Sequence, residues 1–364
     1  MNKILIIILF LPIVLISQSG GKRLMHHTSD GFVNPDPGFT ERGFTDFLKW
    51  SVVDRLAGKK PDKPDHYNFQ MIPNDGHILR ENTDAFTVTW IGHSTLVIQI
   101  DGINILTDPI WSERCSPVNF AGPKRYVPPG LAFDDLPEID VVLISHDHYD
   151  HLDKATIKLL GNKPLYIVPL GIGAILREWG ITHFLELDWW DSMKFNGVEI
   201  ACVPAQHFSG RSLFSRNKTL WSGWVVQGKN QNFYFAGDTG YFPGLKEIGK
   251  RYGPFDLVAL PIGAYLPRWF MRPVHLSPDE AVDAFLDLKA KKFVAIHWGT
   301  FELADEPLDE PPKALEKALR EKNFANDEFW ILKHGETRKL SRSSSEKEYV
   351  KIEDSEQSAV LGQP

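Results

Sequence analysis

Short apolar runs recur along the chain from about residue 85 onward, and their length and alternation are those of β-strands. Residues 86–90 and 95–100 form the first two runs, and Asp101-Gly102 after the second is a strong signal for a hairpin turn into residues 103–106. Further strands are predicted at residues 141–144, 165–168, 198–203, 223–226, 233–236, 257–260 and 293–296.

Helical patterns separate some of these runs. The clearest helix is predicted from Pro278 to Lys289, because Ser277 is a good N-cap, Pro278 suits the first helical position and Glu280 completes a capping box. Other helices are expected to follow His151, Gly171, Phe242 and Pro312. Strands that first cluster and then alternate with helices predict an α/β fold of two packed mixed β-sheets with helices outside, an αββα sandwich.

The chain before this strand-rich region follows different patterns. Residues 1–19 combine Lys3, an apolar stretch and a small-x-small cleavage pattern, and the stretch is shorter than the ~20 residues that span a bilayer. We therefore expect a cleaved signal peptide, with an uncleaved N-terminal anchor as the alternative, and an exported protein that is periplasmic or membrane-associated. Residues 20–84 are irregular apart from an amphipathic helix predicted at about 44–56. They are interpreted as an N-terminal extension packed on the main domain, residues 85–340.

Composition places the chain among ordinary globular proteins. It has 364 residues, of which 43% are apolar and 24% charged. The net charge of −7 does not indicate the basic surface that is typical of nucleic-acid binding, so no nucleic-acid partner is expected. Two cysteines do not make a disulfide framework. Cys202 lies within a predicted core strand and is expected to be a buried free thiol. The polar tail at 341–364 is predicted to be disordered.

Candidate metal ligands follow the apolar run at 141–144 directly. The segment His146-Asp147-His148-Tyr149-Asp150-His151 offers four potential ligands within six residues, on a loop that leaves the carboxyl end of a strand. Imidazole and carboxylate together suit zinc or a similar transition metal. His207, Asp238 and His297 each follow a predicted strand in the same way. A single histidine after a strand is more often structural, but the repetition favours one shared metal site.

Other histidines and one aspartate have weaker claims. Asp108 could orient a ligand histidine from behind it, or it could stabilise the turn before Pro109. Two roles stay open for His93: it could support a metal ligand, or it could be structural. His183 and His334 are assigned to structure, and the histidines of the extension, His26, His27, His66 and His77, are expected to be exposed.

The order HxHxDH, then His, Asp and His, resembles the metallo-β-lactamase superfamily. The blocks around these residues are similar to the N-acylphosphatidylethanolamine-hydrolysing phospholipase D family, over roughly residues 30–340. The similar blocks are residues 32–35, 92–95, 106–109, 122–125, 145–153, 267–271, 297–301 and 333–336.

This resemblance implies a metallo-β-lactamase-like fold, two zinc ions per chain and a role for each ligand candidate. The first zinc would be bound by His146, His148 and His207, the second by Asp150, His151 and His297, and both by Asp238. His275 would lie beside the substrate phosphate, and it joins Asp150 and Asp238 as a catalytic candidate. Tyr149 would be a pocket residue. Val274 departs from the family, because its better-known animal members carry Gln there.

The implied function is zinc-dependent hydrolysis of N-acylphosphatidylethanolamine-like phospholipids, a phospholipase D reaction of lipid metabolism. Two zinc ions would lower the pKa of a shared water toward ~7, so that hydroxide attacks phosphorus. Arg268, Trp269 and Phe270 are candidate substrate contacts, since aromatic and basic residues together suit a lipid phosphate at a membrane surface; a buried aromatic loop is the alternative.

The resemblance also implies a phospholipid substrate, a membrane surface and a homodimer as partners. Two alternatives stay open. One is a lactonase or another phosphodiesterase of the same fold. The other is a non-catalytic zinc-binding envelope protein, which the seven candidate ligands disfavour because a structural zinc site is usually closed by four.

Overall fold

Two seven-stranded β-sheets pack against each other in the computed structural model of the protein, which describes residues 25–340 except 37, 65, 84, 213 and 325. The predictions for residues 1–19 and 341–364 lie outside the described residues. With strands numbered in chain order, the first sheet contains β14 (Thr337–Lys339), β1 (Thr87–Gly92), β2 (Thr95–Ile100), β3 (Ile103–Thr107), β4 (Val141–Leu143), β5 (Leu165–Pro169) and β6 (Phe184–Leu187). The second contains β13 (Phe329–Trp330), β12 (Phe293–Ile296), β11 (Leu257–Pro261), β10 (Asn232–Phe235), β9 (Gly223–Gln227), β8 (Val198–Val203) and β7 (Ser192–Phe195).

Each sheet is antiparallel on one side and parallel on the other. In the first sheet β14 to β3 pair antiparallel and β3 to β6 pair parallel. In the second, β7 to β10 pair antiparallel and β10 to β13 pair parallel. Parallel neighbours need long crossover connections, which helices supply. The predicted α/β fold of two mixed sheets with helices outside is therefore confirmed.

The helices vary in length and several are short. They are α1 (Phe44–Leu48), α2 (Asp54–Leu56), α3 (His77–Glu81), α4 (Lys154–Leu160), α5 (Ile172–Glu178), α6 (Gly244–Arg251), α7 (Arg268–Met271), α8 (Pro278–Asp287) and α9 (Glu310–Glu321). A π-helical turn at Lys49–Val53 joins α1 to α2, and 3-10 turns lie at Phe133–Asp135 and Asn326–Glu328. The capping box of Ser277 and Glu280 at α8 is confirmed. That helix ends before Lys289, which adopts a left-handed φ of 55°.

Apolar residues of the central strands are buried on both faces. In β2, Leu96 and Ile98 belong to the core between the sheets, whereas Val97 packs with Ile157 of α4 and Leu176 of α5 outside the first sheet. A strand covered on both faces needs apolar residues at successive positions, which is why these strands are visible as runs in the sequence. The strands that the sequence pattern missed, β6, β7, β13 and β14, are short or partly exposed.

The structure tests the predictions for the cysteines and for the histidines of the N-terminal extension. Cys115 and Cys202 are both buried and free, which confirms the prediction for Cys202. The expectation that the histidines of the extension are exposed is wrong for His26, which is buried, and for His27, which is half-buried. Nε2 of His26 and Nε2 of His27 each lie 2.7 Å from a carboxylate oxygen of Asp188, so the two side chains attach the start of the extension to the end of β6.

The rest of the extension also contacts the main domain through hydrogen bonds. Trp50 Nε1 donates to Asp305 at 3.0 Å, Tyr67 donates to Glu302 at 2.9 Å, and the Asn74 amide donates to the carbonyl oxygen of Gly335 at 2.8 Å. Because each of these residues contacts a partner far away in the sequence, the extension lies along the surface of the domain.

The predicted helix at 44–56 forms, and Trp50 in it is half-buried and stacks on Phe270 with ring centroids 5.0 Å apart, but most of its other apolar residues do not pack on the domain. Phe44, Phe47, Leu48, Val52, Val53 and Leu56 are all exposed. In α1 and the π-helical turn no residue is buried, and in α2 only Asp54 is, between the ammonium groups of Lys49 and Lys59. Within the described residues, no helix has the length and apolarity needed to cross a bilayer.

Candidate metal centre

The seven predicted ligands come together where strands of both sheets end. The loop after β4 carries the run from His146 to His151, while His207, Asp238 and His297 lie after β8, β10 and β12. His297 adopts a left-handed φ of 60°, which turns the chain sharply after the strand. The structure therefore gathers at one edge of the fold the residues that the sequence places at separate strand ends.

Three histidines form the first cluster. Nε2 of His146 lies 2.8 Å from Nδ1 of His148, which lies 3.3 Å from Nε2 of His207. The second ring nitrogen of two of them is already committed: His146 Nδ1 donates to Ser145 Oγ at 2.9 Å, and His207 Nδ1 donates to the Val274 carbonyl oxygen at 2.9 Å. These hydrogen bonds leave the facing nitrogens of His146 and His207 as lone pairs.

The second cluster combines two histidines and two carboxylates. Nε2 of His151 lies 3.2 Å from an oxygen of Asp150 and 3.3 Å from one of Asp238. Nε2 of His297 lies 3.5 and 3.0 Å from the same two oxygens. The Asp238 oxygen also lies 3.8 Å from His207 Nε2, so this carboxylate faces both clusters.

A further layer of buried side chains fixes the ligands. Asp108 accepts hydrogen bonds from His151 Nδ1 at 2.7 Å and from the backbone N–H of Ser145 at 2.7 Å. The Ser145 hydroxyl donates to the same carboxylate at 2.6 Å while it accepts from His146. Asp108 therefore supports one ligand of each cluster, which favours the orienting role over a turn role alone.

His93 has the same kind of position behind the second cluster. It is buried, and its Nε2 donates to Asp150 at 2.9 Å. Its backbone N–H donates to Thr300 Oγ1 at 2.8 Å, and its carbonyl oxygen accepts from the His297 N–H at 2.9 Å. His93 thus holds one ligand by its side chain and another by its backbone.

The electrostatics of the clusters differ. Burial lowers the pKa of His148 to about 3 and that of His207 to about 4, with the charge of His207 adding to the effect at His148. Burial also lowers the pKa of His297, but the Asp238 and Asp150 carboxylates outweigh it and raise that pKa to about 9. The first cluster is thus neutral imidazole, whereas the second pairs two carboxylates with two histidines whose protonation these carboxylates favour.

These contacts fit bound metal ions. Nδ1 of His148 lies 2.8 Å from the lone pair of His146 and 3.3 Å from that of His207, and its single proton can satisfy only one of them, whereas a metal ion could accept all three nitrogens. Nε2 of His151, Nε2 of His297 and Oδ1 of Asp238 are buried and have no hydrogen-bond partner within the described part of the chain. Buried polar groups are rarely left unpaired, and a metal ion satisfies such lone pairs. The donor set of imidazole and carboxylate suits zinc or a similar transition metal.

The clusters lie at the end of a cavity of about 900 Å³. Its polar lining contains His148, Asp150, His207, Asp238, His275 and His297, and its apolar lining contains Phe39, Phe44, Phe47, Trp50, Phe208, Phe270, Met271 and Leu303. His275 Nδ1 is buried, unpartnered among the described groups, and 3.9 Å from an Asp238 oxygen. The cavity could therefore hold an apolar molecule with its polar group at the metal ligands.

The remaining candidates for substrate contact lie in different places. Phe270 lines the cavity, but Tyr149 lines a neighbouring one, where its hydroxyl donates to the Arg211 carbonyl oxygen at 2.9 Å. Arg268 stays a prediction, and its guanidinium contacts Glu280 and the carbonyl oxygen of His275. Trp269 lies outside the cavity wall, under the ammonium of Lys49 at 3.9 Å.

Sequence reasoning missed several supporting residues. Asn34 brackets His207 by accepting from its N–H at 3.0 Å and donating to its carbonyl oxygen at 2.7 Å. Asp147 accepts from the Gly210 N–H at 2.7 Å and so ties the loop after β8 to the loop after β4. Asn34 and Ser145 both lie in blocks of family similarity, and that was the only signal the sequence carried for them.

Comparison with known proteins agrees with this arrangement. The family model described as Beta-lactamase superfamily domain matches residues 103–298. The chain is 44% identical over 301 residues to an uncharacterized protein of Mycobacterium tuberculosis, covering 80% of this chain and 78% of that protein. It is 42% identical over 257 residues to N-acyl-phosphatidylethanolamine-hydrolyzing phospholipase D 1 of Caenorhabditis elegans, covering 67% of this chain and 72% of that protein.

A solved structure supports the fold. A metallo hydrolase from the archaeon Ignicoccus hospitalis superposes with a TM-score of 0.54 at 21% identity, covering 71% of this chain and 100% of that chain. Fold, ligand geometry and relatives agree, and the chain is a metal-dependent hydrolase of the metallo-β-lactamase superfamily and a homologue of the N-acyl-phosphatidylethanolamine-hydrolyzing phospholipases D.

Proposed function

We propose that the protein hydrolyses N-acylphosphatidylethanolamine-like phospholipids in a phospholipase D reaction, with two zinc ions per chain. The observation that carries this proposal is the cavity, which is lined both by candidate metal ligands and by large apolar side chains. A phospholipid has the matching polarity, since a charged phosphate is attached to acyl chains. The relative from Caenorhabditis elegans, at 42% identity, supports the same substrate class.

Each ligand residue has a distinct task in this proposal. His146, His148 and His207 would hold one ion, Asp150, His151 and His297 the other, and Asp238, which faces both clusters, would bridge them. When bound, such ions act as Lewis acids toward a phosphoryl group and lower the pKa of water. The two carboxylates supply the negative charge that holds two divalent cations close together.

His275 is the chain's own candidate for contact with the phosphate. Burial holds its pKa well below the usual value, so the side chain is neutral. Its Nδ1 is buried, lacks a partner among the described residues and belongs to a side chain on the cavity wall. A neutral imidazole N–H there would donate a hydrogen bond to a phosphoryl oxygen and stabilise the charge that develops on it.

The exposed apolar side chains of the helix at 44–56 support a membrane surface as the place of action. Phe44 and Phe47 line the cavity and are also exposed, so the apolar surface is continuous from the cavity to the outside of the helix. Large apolar residues on a surface helix are typical of contact with a lipid interface. A lipid could then pass from the bilayer to the metal ligands along apolar surface. The homodimer, the exported location and the lack of a nucleic-acid partner stay predictions from the sequence.

Product analysis tests the proposal. The zinc-loaded protein is incubated with a phospholipid panel in water enriched in ¹⁸O, and products are identified by mass spectrometry. We expect N-acylethanolamine and phosphatidic acid, with the label in the phosphate of the phosphatidic acid. Asp238→Asn is expected to lose at least about a thousand-fold in kcat, because it removes a charge that both clusters share. The exposed His183→Gln is the control. Release of fatty acid, or no product from any lipid, would contradict the proposal.

A further inference from the structure

We infer that Arg42 binds the anionic phosphate group of an amphiphile in the cavity. The inference rests on the proposed function, because it names the group that the same cavity recognises. Arg42 lies on the cavity wall, directly before Gly43, the N-cap of α1. The sequence patterns that predict the metal ligands and the catalytic candidates do not include Arg42.

None of the described residues forms a hydrogen bond or an ion pair with the guanidinium of Arg42. Its Nε is buried and has no hydrogen-bond partner within the described residues. A guanidinium N–H that is removed from water without a partner costs free energy, so such a group is normally paired. A ligand that brings an anionic oxygen into the cavity would supply the missing acceptor, and arginine suits phosphate because it donates two parallel N–H bonds.

The other two arginines of the cavity wall are engaged elsewhere. Arg211 donates to the carbonyl oxygens of Asp147 at 2.7 Å and Leu152 at 2.9 Å, and its guanidinium lies 3.9 Å from the centre of the Tyr149 ring. Arg216 donates to Glu41 at 2.6 Å and lies over the Phe208 ring. Glu41 is the acidic side chain closest to Arg42 in sequence, and Arg216 already pairs with it. Among the described arginines of this wall, Arg42 is therefore the one that keeps its hydrogen-bonding capacity.

The surroundings of Arg42 favour an amphiphile over free phosphate. Phe39, Phe44 and Phe47 lie on the same wall, within five residues of Arg42 along the chain. Cation and aromatic rings side by side suit a molecule that carries its charge next to apolar chains. The metal ligands line the same cavity, so one amphiphile in it could contact both the proposed ions and Arg42.

Binding to the zinc-loaded protein tests the inference without relying on turnover. Calorimetry measures the Kd of short-chain phosphatidic acid below its critical micelle concentration, and of dihexanoylglycerol and inorganic phosphate. We expect Arg42→Met to raise the Kd of phosphatidic acid about ten-fold or more, Arg42→Lys to raise it less, and neither to change the Kd of dihexanoylglycerol. Arg55→Met is the matched control, because Arg55 is exposed, lies in α2 and does not line the cavity, and its Kd for phosphatidic acid is expected to stay within about two-fold.

The outcomes separate this inference from the proposed function. An unchanged Kd of phosphatidic acid in Arg42→Met overturns the inference, and so does an equal loss for phosphatidic acid and dihexanoylglycerol, which would indicate a structural role. Inorganic phosphate that binds as tightly as phosphatidic acid overturns the assignment to an amphiphile. Arg42-dependent binding without hydrolysis of any phospholipid supports the inference and contradicts the proposed function alone.

Discussion

Asp108 accepts a hydrogen bond from Nδ1 of His151 at 2.7 Å, and neither side chain is exposed to solvent. Because Nδ1 donates to Asp108, Nε2 is the ring nitrogen of His151 that faces Asp150 and Asp238 and is left to bind a metal ion. The same carboxylate accepts the Ser145 hydroxyl, which in turn accepts from His146. One buried aspartate thus sets the tautomer and orientation of a ligand in each cluster.

Replacing Asp108 should therefore weaken metal binding without removing a ligand. We expect Asp108→Asn to lower metal affinity by about 10- to 100-fold, because the amide can present an N–H where His151 needs an acceptor. Competition with a chromophoric chelator measures the affinity. Hydrolysis should recover in part when excess zinc is supplied. Wild-type affinity in this variant would show that Asp108 only shapes the turn.

His93 allows a related test at the second cluster. His93→Leu removes the N–H that Asp150 accepts at 2.9 Å, and the carboxylate is then free to rotate away from His297. We expect kcat to fall about 10- to 100-fold with little change in KM, since the ligand is misplaced while the cavity wall is intact. His93→Gln can still donate a hydrogen bond and should recover part of the activity. Equal loss in both variants would point to packing instead of the hydrogen bond.

The sequence predicted the ligand positions because apolar strands end abruptly at polar residues. His207 and Asp238 are visible in this way, and parallel strands bring such ends to one edge. It did not predict contacts between distant segments, such as Asn34 with His207, which are 173 residues apart. Periodicity also predicted the helix at 44–56, but it cannot say whether an apolar face meets protein or solvent, and here Phe44 and Leu56 are exposed.

The exposed face of that helix leads to a prediction on membrane binding. Phe44→Ser combined with Leu56→Ser should reduce liposome flotation several-fold, because each change removes a large apolar side chain from the surface. Phe120→Ser is a matched control, since Phe120 is also exposed but lies between β3 and β4, away from this helix. Equal flotation of the double variant and the wild type would contradict a membrane role for the helix.

The buried His334 predicts how stability depends on pH. Burial, together with the charge of Arg125, lowers its pKa to about 3 from a usual value of 6.5. The folded protein therefore keeps this imidazole neutral at pH 5, whereas the unfolded chain binds a proton there. Unfolding is thus favoured as pH falls below 6.5, and this group alone should remove about 2 kcal/mol of the free energy of unfolding between pH 7 and pH 5.

Chemical denaturation of His334→Gln and the wild type at pH 7, 6 and 5 measures this contribution. The variant is expected to be less stable at pH 7, because His334 packs against Trp90 with ring centroids 4.2 Å apart, but its stability should fall less on acidification. Comparing the two pH slopes cancels the contribution of the other histidines, which both proteins share. His66→Gln, at an exposed position of the extension, should follow the wild-type slope. Parallel pH curves for His334→Gln and the wild type would show that His334 is protonated alike in the folded and unfolded states.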